Sequence, residues 1–334
     1  MHQDLSPAMA AVRSPDGRLT LGLMTPPPQP QGSMADPAQA RELAQLAEAQ
    51  GIAALWTRDV PLAIPQGQDR LASSLDDPFQ WLSMLAGATS TIALGTAAAV
   101  LPLRHPLHLA KTALSLDRIS GGRLLLGVAT GDRPEEFGIF GTSLDDRRDA
   151  FRDRWALLRS ALSPDEQERE HLLQATDGYE LMVPPAHRIP QVIVGSAKQT
   201  LQWNAAHADA WATYYRPFEE QRGRFGLWRQ AVQRRGQGND PALIQSMSLD
   251  LLEDPDAPPR RSAWGCAPGR RPSWRPCTAT GRSAWSTASS PRRAMTAPPA
   301  RSSGSWAARS SRTCERLRCG PLVGDDGGAA AEGP

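Results

Sequence analysis

Small polar and charged residues follow the apolar runs of this chain at regular intervals. They are Thr25, Arg58-Asp59, Thr130-Gly131-Asp132, Gly195-Ser196 and residues 214–216, while the third run ends in the small apolar residues 98–100. A carboxylate beside an arginine can move a proton or steady a developing negative charge, although Arg58 and Asp59 could also be a plain ion pair. The segment Gly195-Ser196-Ala197-Lys198-Gln199-Thr200 joins a strand to a helix and holds one of only two lysines in the chain. Free N–H groups, two hydroxyls and an ammonium together make an anion site, unless Ser196 serves only as the helix cap. A ring of such groups around small residues suits a flat aromatic cofactor with a phosphorylated tail.

Residues 105–132, HPLHLAKTALSLDRISGGRLLLGVATGD, show what must position these groups. Pro106 fits the first turn of a helix, and Leu109, Ala113 and Leu116 form one apolar stripe. Ser120, Gly121 and Gly122 stop that helix. Leu124 to Val128 then reads as a strand buried on both faces of a parallel sheet. Six further strands are expected over residues 19–24, 52–56, 91–100, 191–194, 208–215 and 243–252, with helices between them. Gly95 and the alanines of the third strand leave room for something bulky. Trp56 and Trp81 are expected in the core. Phe151, Trp155, Leu158 and Leu162 mark the helix after Asp132, and residues 163–189 have no clear period. Strands and helices alternating seven times imply parallel β-structure with right-handed crossovers. Thr25 followed by three prolines is unlike a glycine-rich phosphate fingerprint, so a TIM-type (β/α)8 barrel lacking its eighth unit fits better than an open doubly wound sheet.

From RHP through LAK to LDRISGGRLLLGVATG, the same stretch resembles the hallmark segment of the bacterial luciferase-like flavin monooxygenases, and the likeness runs from about residue 19 to about residue 256. The resemblance implies reduced FMN acting with O2 on a small organic substrate. It also implies a separate flavin reductase as supplier and a homodimer. A deazaflavin F420-dependent reductase or dehydrogenase of the same barrel family is the alternative, and a non-catalytic flavin-binding remnant is a third. By resemblance, Gly195, Ser196 and Lys198 hold the cofactor phosphate, while Asp59 and Thr130, Gly131 and Asp132 lie over the ring. Asp59, Arg58 and His105 are the candidate catalytic residues. His105 could equally bond a neighbouring backbone group, and His108 is expected at the surface. Many relatives have Asp-His near the second strand, whereas Val60 follows Asp59 here, so no histidine at that point can serve as a base.

The 334 residues are 40% hydrophobic with a net charge of +2, and no run is long enough to span a membrane. Residues 1–18 read as a mobile leader without a secretory core, residues 19–257 as the barrel, and a cytoplasmic location is the default. Residues 260–334 carry 13 arginines against four acids, which leaves the preceding body at about −7. All four cysteines, Cys266, Cys277, Cys314 and Cys319, fall in that tail with no histidine beyond His207, so a metal site is not expected. The tail has no Ile, Phe, Tyr, Asn, Gln, His or Lys. This is the composition of a G/C-rich gene read out of frame. Back-translating residues 271–279 with G or C in third positions and reading two bases later gives Ala-Leu-Val-Ala-Ala-Leu-His-Arg, an amphipathic helix. Residues 258–334 are therefore expected to be frameshifted and disordered. An Arg- and Trp-bearing nucleic-acid arm is the less favoured reading.

Overall fold

A computed structural model describes residues 6–13, 19–29, 33–64, 75–235, 241–254, 256–257, 260–262 and 265–267. The barrel strands are β1 (Gly22–Met24), β2 (Ala54–Thr57), β3 (Ala93–Thr96), β4 (Ala99–Val100), β5 (Leu124–Ala129), β6 (Gln191–Val194), β7 (Ala210–Tyr214) and β8 (Ala242–Ser246). Their order is β1-β2-β3-β5-β6-β7-β8, every pairing is parallel, and β4 continues the line of β3 along β5. The helices are α1 (Pro7–Val12), α2 (Pro37–Ala49), α3 (Pro78–Ala86), α4 (Pro106–Ser120), α5 (Pro134–Ile139), α6 (Arg147–Ala161), α7 (Glu170–Ala175), α8 (Leu201–His207) and α9 (Phe218–Arg234). The protein is thus an α/β, TIM-type barrel that is incomplete. Among the described residues no strand joins β8 to β1.

Strand alternation separates two apolar layers. Ala54, Trp56, Ala93, Leu125, Val192, Ala210, Ala212 and Ile244 fill the barrel interior. Leu55, Leu94, Leu124, Leu126, Ile193 and Trp211 face outward onto the helices. The third strand is broken by an inserted side chain rather than running unbroken over residues 91–100. The Thr96 hydroxyl donates to the Gly127 carbonyl (2.7 Å) and accepts from its N–H (2.9 Å). A Cβ on Gly127 would lie 1.8 Å from the Thr96 carbonyl oxygen, so only glycine fits. The bulky group expected beside Gly95 is Trp56, whose ring would lie 2.3 Å from an added Cβ. Trp56 and Trp81 are both core residues.

Residues 7–12 correct the expected leader. They form α1, started by Ser6, and bury Ala8, Met9 and Val12 in the interior layer. The Ala8 N–H donates to the Gly122 carbonyl at 3.1 Å, on the N-terminal side of β5, so α1 closes the bottom of the barrel and leaves the opposite end as the mouth. Further along, Ser160 gives its hydroxyl to the Glu168 carbonyl and accepts from Leu172 N–H, which organises α7 inside the aperiodic stretch 163–189. The last expected strand, 243–252, stops at Ser246. After it, β9 (Ser248–Leu249) pairs with β11 (Gly265–Ala267), itself antiparallel to β10 (Arg260–Ser262). The first residues of the expected tail are therefore paired, while the rest of 258–334 lies outside the described residues.

A half-buried carboxylate holds the turn between α3 and β3. The Glu48 carboxylate accepts from the N–H groups of Ser90 (2.9 Å), Thr91 (2.6 Å) and Ile92 (2.9 Å) and from the Thr91 hydroxyl (3.0 Å). Burial alone would raise this carboxyl, but those donors outweigh it and bring the pKa from 4.5 to about 2. A depressed carboxyl contributes stability above its unfolded pKa that is lost as pH falls from about 4.5 toward about 2. Glu48→Gln is expected to lower the melting temperature at pH 7 and to leave it unchanged near pH 2. An equal loss at both pH values, read by circular dichroism, would refute the linkage.

Candidate active site

Because all barrel strands are parallel, the residues following their C-terminal ends share one mouth. Thr25 is pinned there: its N–H donates to the Trp56 carbonyl at 2.7 Å and its hydroxyl accepts from the Trp81 indole at 3.1 Å.

Asp59 corrects the expectation of a carboxylate open to the mouth. Its side chain is only 5% exposed and is gripped by Arg104, with Nε at 2.8 Å and Nη2 at 2.9 Å. The Val100 N–H adds a third donor at 3.3 Å. Arg104 also reaches Asp77 at 3.4 Å and stands over the Phe79 ring, 5.6 Å from its centroid. Asp77 in turn caps α3 through the N–H groups of Phe79 and Gln80. Burial works against the Arg104 charge, yet Asp59 and then Asp77 hold its pKa above the ordinary value. The partner of Asp59 is thus Arg104, 45 residues away, and Arg58 is not needed for that pair.

His105 is exposed and commits its Nδ1 to the Leu107 N–H (3.3 Å) as the cap of α4, and its ring meets His108 edge-on at 5.9 Å. His108 is exposed, as expected.

At the end of β5, Thr130 is buried, Asp132 is exposed and Gly131 adopts a φ of 83°. A Cβ on Gly131 would stand 2.8 Å from Val100 Cγ1 and 3.2 Å from Phe137 Cζ. Packing within the mouth therefore explains this glycine without reference to a ligand. Val100 touches both halves of the cluster, since its backbone serves Asp59 and its side chain serves Gly131.

Glu136, which sequence reading did not single out, completes this group. It is 2% exposed, its Oε1 has no hydrogen-bond partner, and the Arg133 guanidinium lies 3.8 Å away, too far for one. Burial pushes its carboxyl pKa up; Arg133 opposes the rise, while Asp59, Asp132 and Glu135 add to it. The only sequence signal was an acidic pair, Glu135-Glu136, one proline beyond the TGD segment and its arginine.

The turn after β6 forms a second cluster. Gly195, Ala197 and Lys198 have φ values of 72°, 47° and 57°. Gly195 donates its N–H to the Ala212 carbonyl (2.8 Å), and its own carbonyl accepts from the Trp211 indole (2.7 Å). Ser196 accepts from the Lys198 N–H at 3.2 Å, and both side chains are exposed. The cap of α8 is Thr200, through the Trp203 N–H, so Ser196 does not have that role. Gln199 accepts from Arg152 Nε at 2.7 Å and brings a second cation near the turn. The β5 and β6 strands are neighbours, with Val128 opposite Ile193, which sets the two clusters side by side.

Sequence and structure comparisons agree with this architecture. Residues 19–310 match the family described as luciferase-like monooxygenase. The alkanal monooxygenase alpha chain of Photorhabdus luminescens is 30% identical over 139 residues, 40% of this chain, and the match spans only 37% of that relative's length. Among solved structures, the FMN complex of the oxygenating constituent of 3,6-diketocamphane monooxygenase, a type II Baeyer–Villiger enzyme from Pseudomonas putida, aligns with a TM-score of 0.57. It is 15% identical, covering 72% of this chain and 69% of that one. The coenzyme F420-dependent tetrahydromethanopterin reductase of Methanopyrus kandleri aligns at 0.51 and 17% identity, covering 72% and 68%. With a parallel barrel whose polar residues gather at the strand ends and a family match over most of its length, the chain belongs to the luciferase-like monooxygenase family.

Proposed function

We propose that this chain is a flavin-dependent oxidoreductase that uses reduced FMN, supplied by a separate reductase, to activate O2 for insertion into a small organic substrate. The observation that carries the reading is the pairing of the Thr130–Asp132 strand end with the Gly195–Lys198 turn on adjacent strands. The turn offers Lys198, the Ser196 hydroxyl and Gly195 to a phosphate. Thr130, Gly131 and Asp132 offer a close-packed wall to a ring. When bound, the flavin supplies the oxygen chemistry. The chain's residues bind and orient it, and the apolar barrel floor, with Trp56 filling it, excludes water. Asp59 and Arg58 border this mouth, and His105 fixes the start of the helix beside it. The family's F420-dependent structural neighbours favour deazaflavin as the second reading. A cytoplasmic homodimer is part of the proposal. Among the described residues β8 and β1 are not joined, which favours a third outcome, flavin binding without turnover.

An absorbance titration of the full chain with FMN and with F420 separates the cofactors, and dependence of turnover on O2 separates oxygenation from hydride transfer. Lys198→Ala is expected to weaken FMN by roughly 1.5 to 3 kcal/mol, about 10- to 150-fold, while barely affecting riboflavin, which lacks the phosphate. Equal losses for both ligands would remove Lys198 from the phosphate site.

A further inference from the structure

Arg104 is a firmly held cation at the mouth, and its sequence position alone gave it no role. Its Nε and Nη2 are held by Asp59, and Nη2 also reaches Asp77. The turn that carries it is anchored from below, because Arg154 Nη1 donates to the carbonyls of Leu101, Pro102 and Arg104. A guanidinium tied at two nitrogens and seated over Phe79 cannot swing freely. Among the described residues its third nitrogen, Nη1, has no hydrogen-bond partner, and the side chain keeps 31% exposure. Asp59 is sealed at 5% and cannot meet a ligand directly, so Arg104 is the member of the pair able to do so.

We propose that Arg104, positioned by Asp59, presents Nη1 to the cofactor ring and favours its reduced, anionic form. The inference rests on the reading that the mouth takes FMN or F420. Reduction of such a ring places negative charge on its N1–carbonyl edge, and a fixed cation there stabilises the reduced state more than the oxidised one. Arginine suits the task because its planar fork can spend two nitrogens on carboxylates and keep a donor in a fixed direction. The consequence is a change in the ratio of two affinities. A purely structural Arg104 that only ties loops together would affect oxidised and reduced ligand alike, and so would an arginine directed at the phosphate.

The test measures dissociation constants of oxidised FMN and of chemically reduced FMN under anaerobic conditions for the full chain and for Arg104→Met, Arg104→Lys and Asp59→Asn, with F420 as the parallel probe. Wild type is expected to bind the reduced form more tightly. Arg104→Met should lose at least ten-fold of that preference, which equals about 30 mV for a two-electron couple. Arg104→Lys should retain part of it, and Asp59→Asn should fall between because the guanidinium loses its direction. Equal weakening of both forms in Arg104→Met overturns the inference. Should that variant fail to fold, an unchanged preference in both Arg104→Lys and Asp59→Asn overturns it. Binding of neither FMN nor F420 by wild type refutes the proposed function and this inference with it, whereas tight binding with an unaltered preference refutes this inference alone.

Discussion

Replacing Arg123 with methionine is expected to remove about 3 to 5 kcal/mol of folding stability, the scale at which buried charged networks break. Arg123 is 3% exposed, and all five of its N–H donors are used. Nε bonds the Ser120 carbonyl at 2.6 Å, Nη1 bonds the Thr89 hydroxyl and the Ile92 carbonyl at 2.9 Å each, and Nη2 bonds the carbonyls of Ala86 and Thr89 at 3.0 Å each. Burial lowers its pKa, opposed by the attraction of Glu48. The guanidinium collects the carbonyls of the α3–β3 turn while Glu48 collects its N–H groups, so one turn is held from two sides by opposite charges. Methionine fills the volume but leaves five acceptors unpaired. Lysine, with three donors on a flexible stem, satisfies some of them, so Arg123→Lys should cost less than Arg123→Met. Urea unfolding checks the order, and a loss below about 1 kcal/mol for methionine would show that water replaces the guanidinium.

The second large effect concerns the seam. Among the described residues β1 and β8 end the sheet, and on the outer side of β1 an apolar cleft of about 300 Å³ is lined by Leu23, Leu43, Ala44, Leu46 and Ile52. Leu43 and Leu46 of α2 are 45% and 56% exposed there. In a closed barrel the eighth strand pairs both edges and its helix covers this face. The family match runs to residue 310, past the last described strand. We propose that residues 260–334, whose composition is that of a G/C-rich gene read out of frame, stand where the eighth unit would be encoded. Restoring the alternative frame after about residue 260 is expected to raise the melting temperature by well over the ~2 to 4 °C that 1 kcal/mol produces in a domain of this size. It should also tighten flavin retention. Cutting the chain after Ala267, which keeps β10 and β11, should leave the melting temperature unchanged. If truncation destabilises the protein, or frame restoration does not stabilise it, the frameshift is refuted.

Local pattern was enough to place most elements. The stripe of Leu109, Ala113 and Leu116 with Pro106 at its start specified α4. The apolar run after Gly122 specified β5, and Phe151, Trp155, Leu158 and Leu162 specified the buried face of α6, because these signals repeat at the period of the structure they form. Parallel order and the position of the mouth followed from the alternation of strands and helices. The sequence by itself also determined the barrel class, the family resemblance and the break in composition near residue 260.

Only the tertiary structure decided which charges meet. Asp59 was legible as a charged residue at a strand end, but its capture by Arg104 joins groups 45 positions apart. The acceptors of Arg123 lie 31 to 37 residues away except for Ser120. Nothing in the spacing of Glu136 foretold its sealed, unpartnered oxygen, and Ala8 and Met9 gave no pattern long enough to show that α1 closes the barrel floor. Helix and strand periods are properties of one segment and can be read along it. Ion pairs, desolvation and the plugging of an interior depend on which segments the closed sheet brings within a few ångströms of each other, and that distance exists only once the chain has folded.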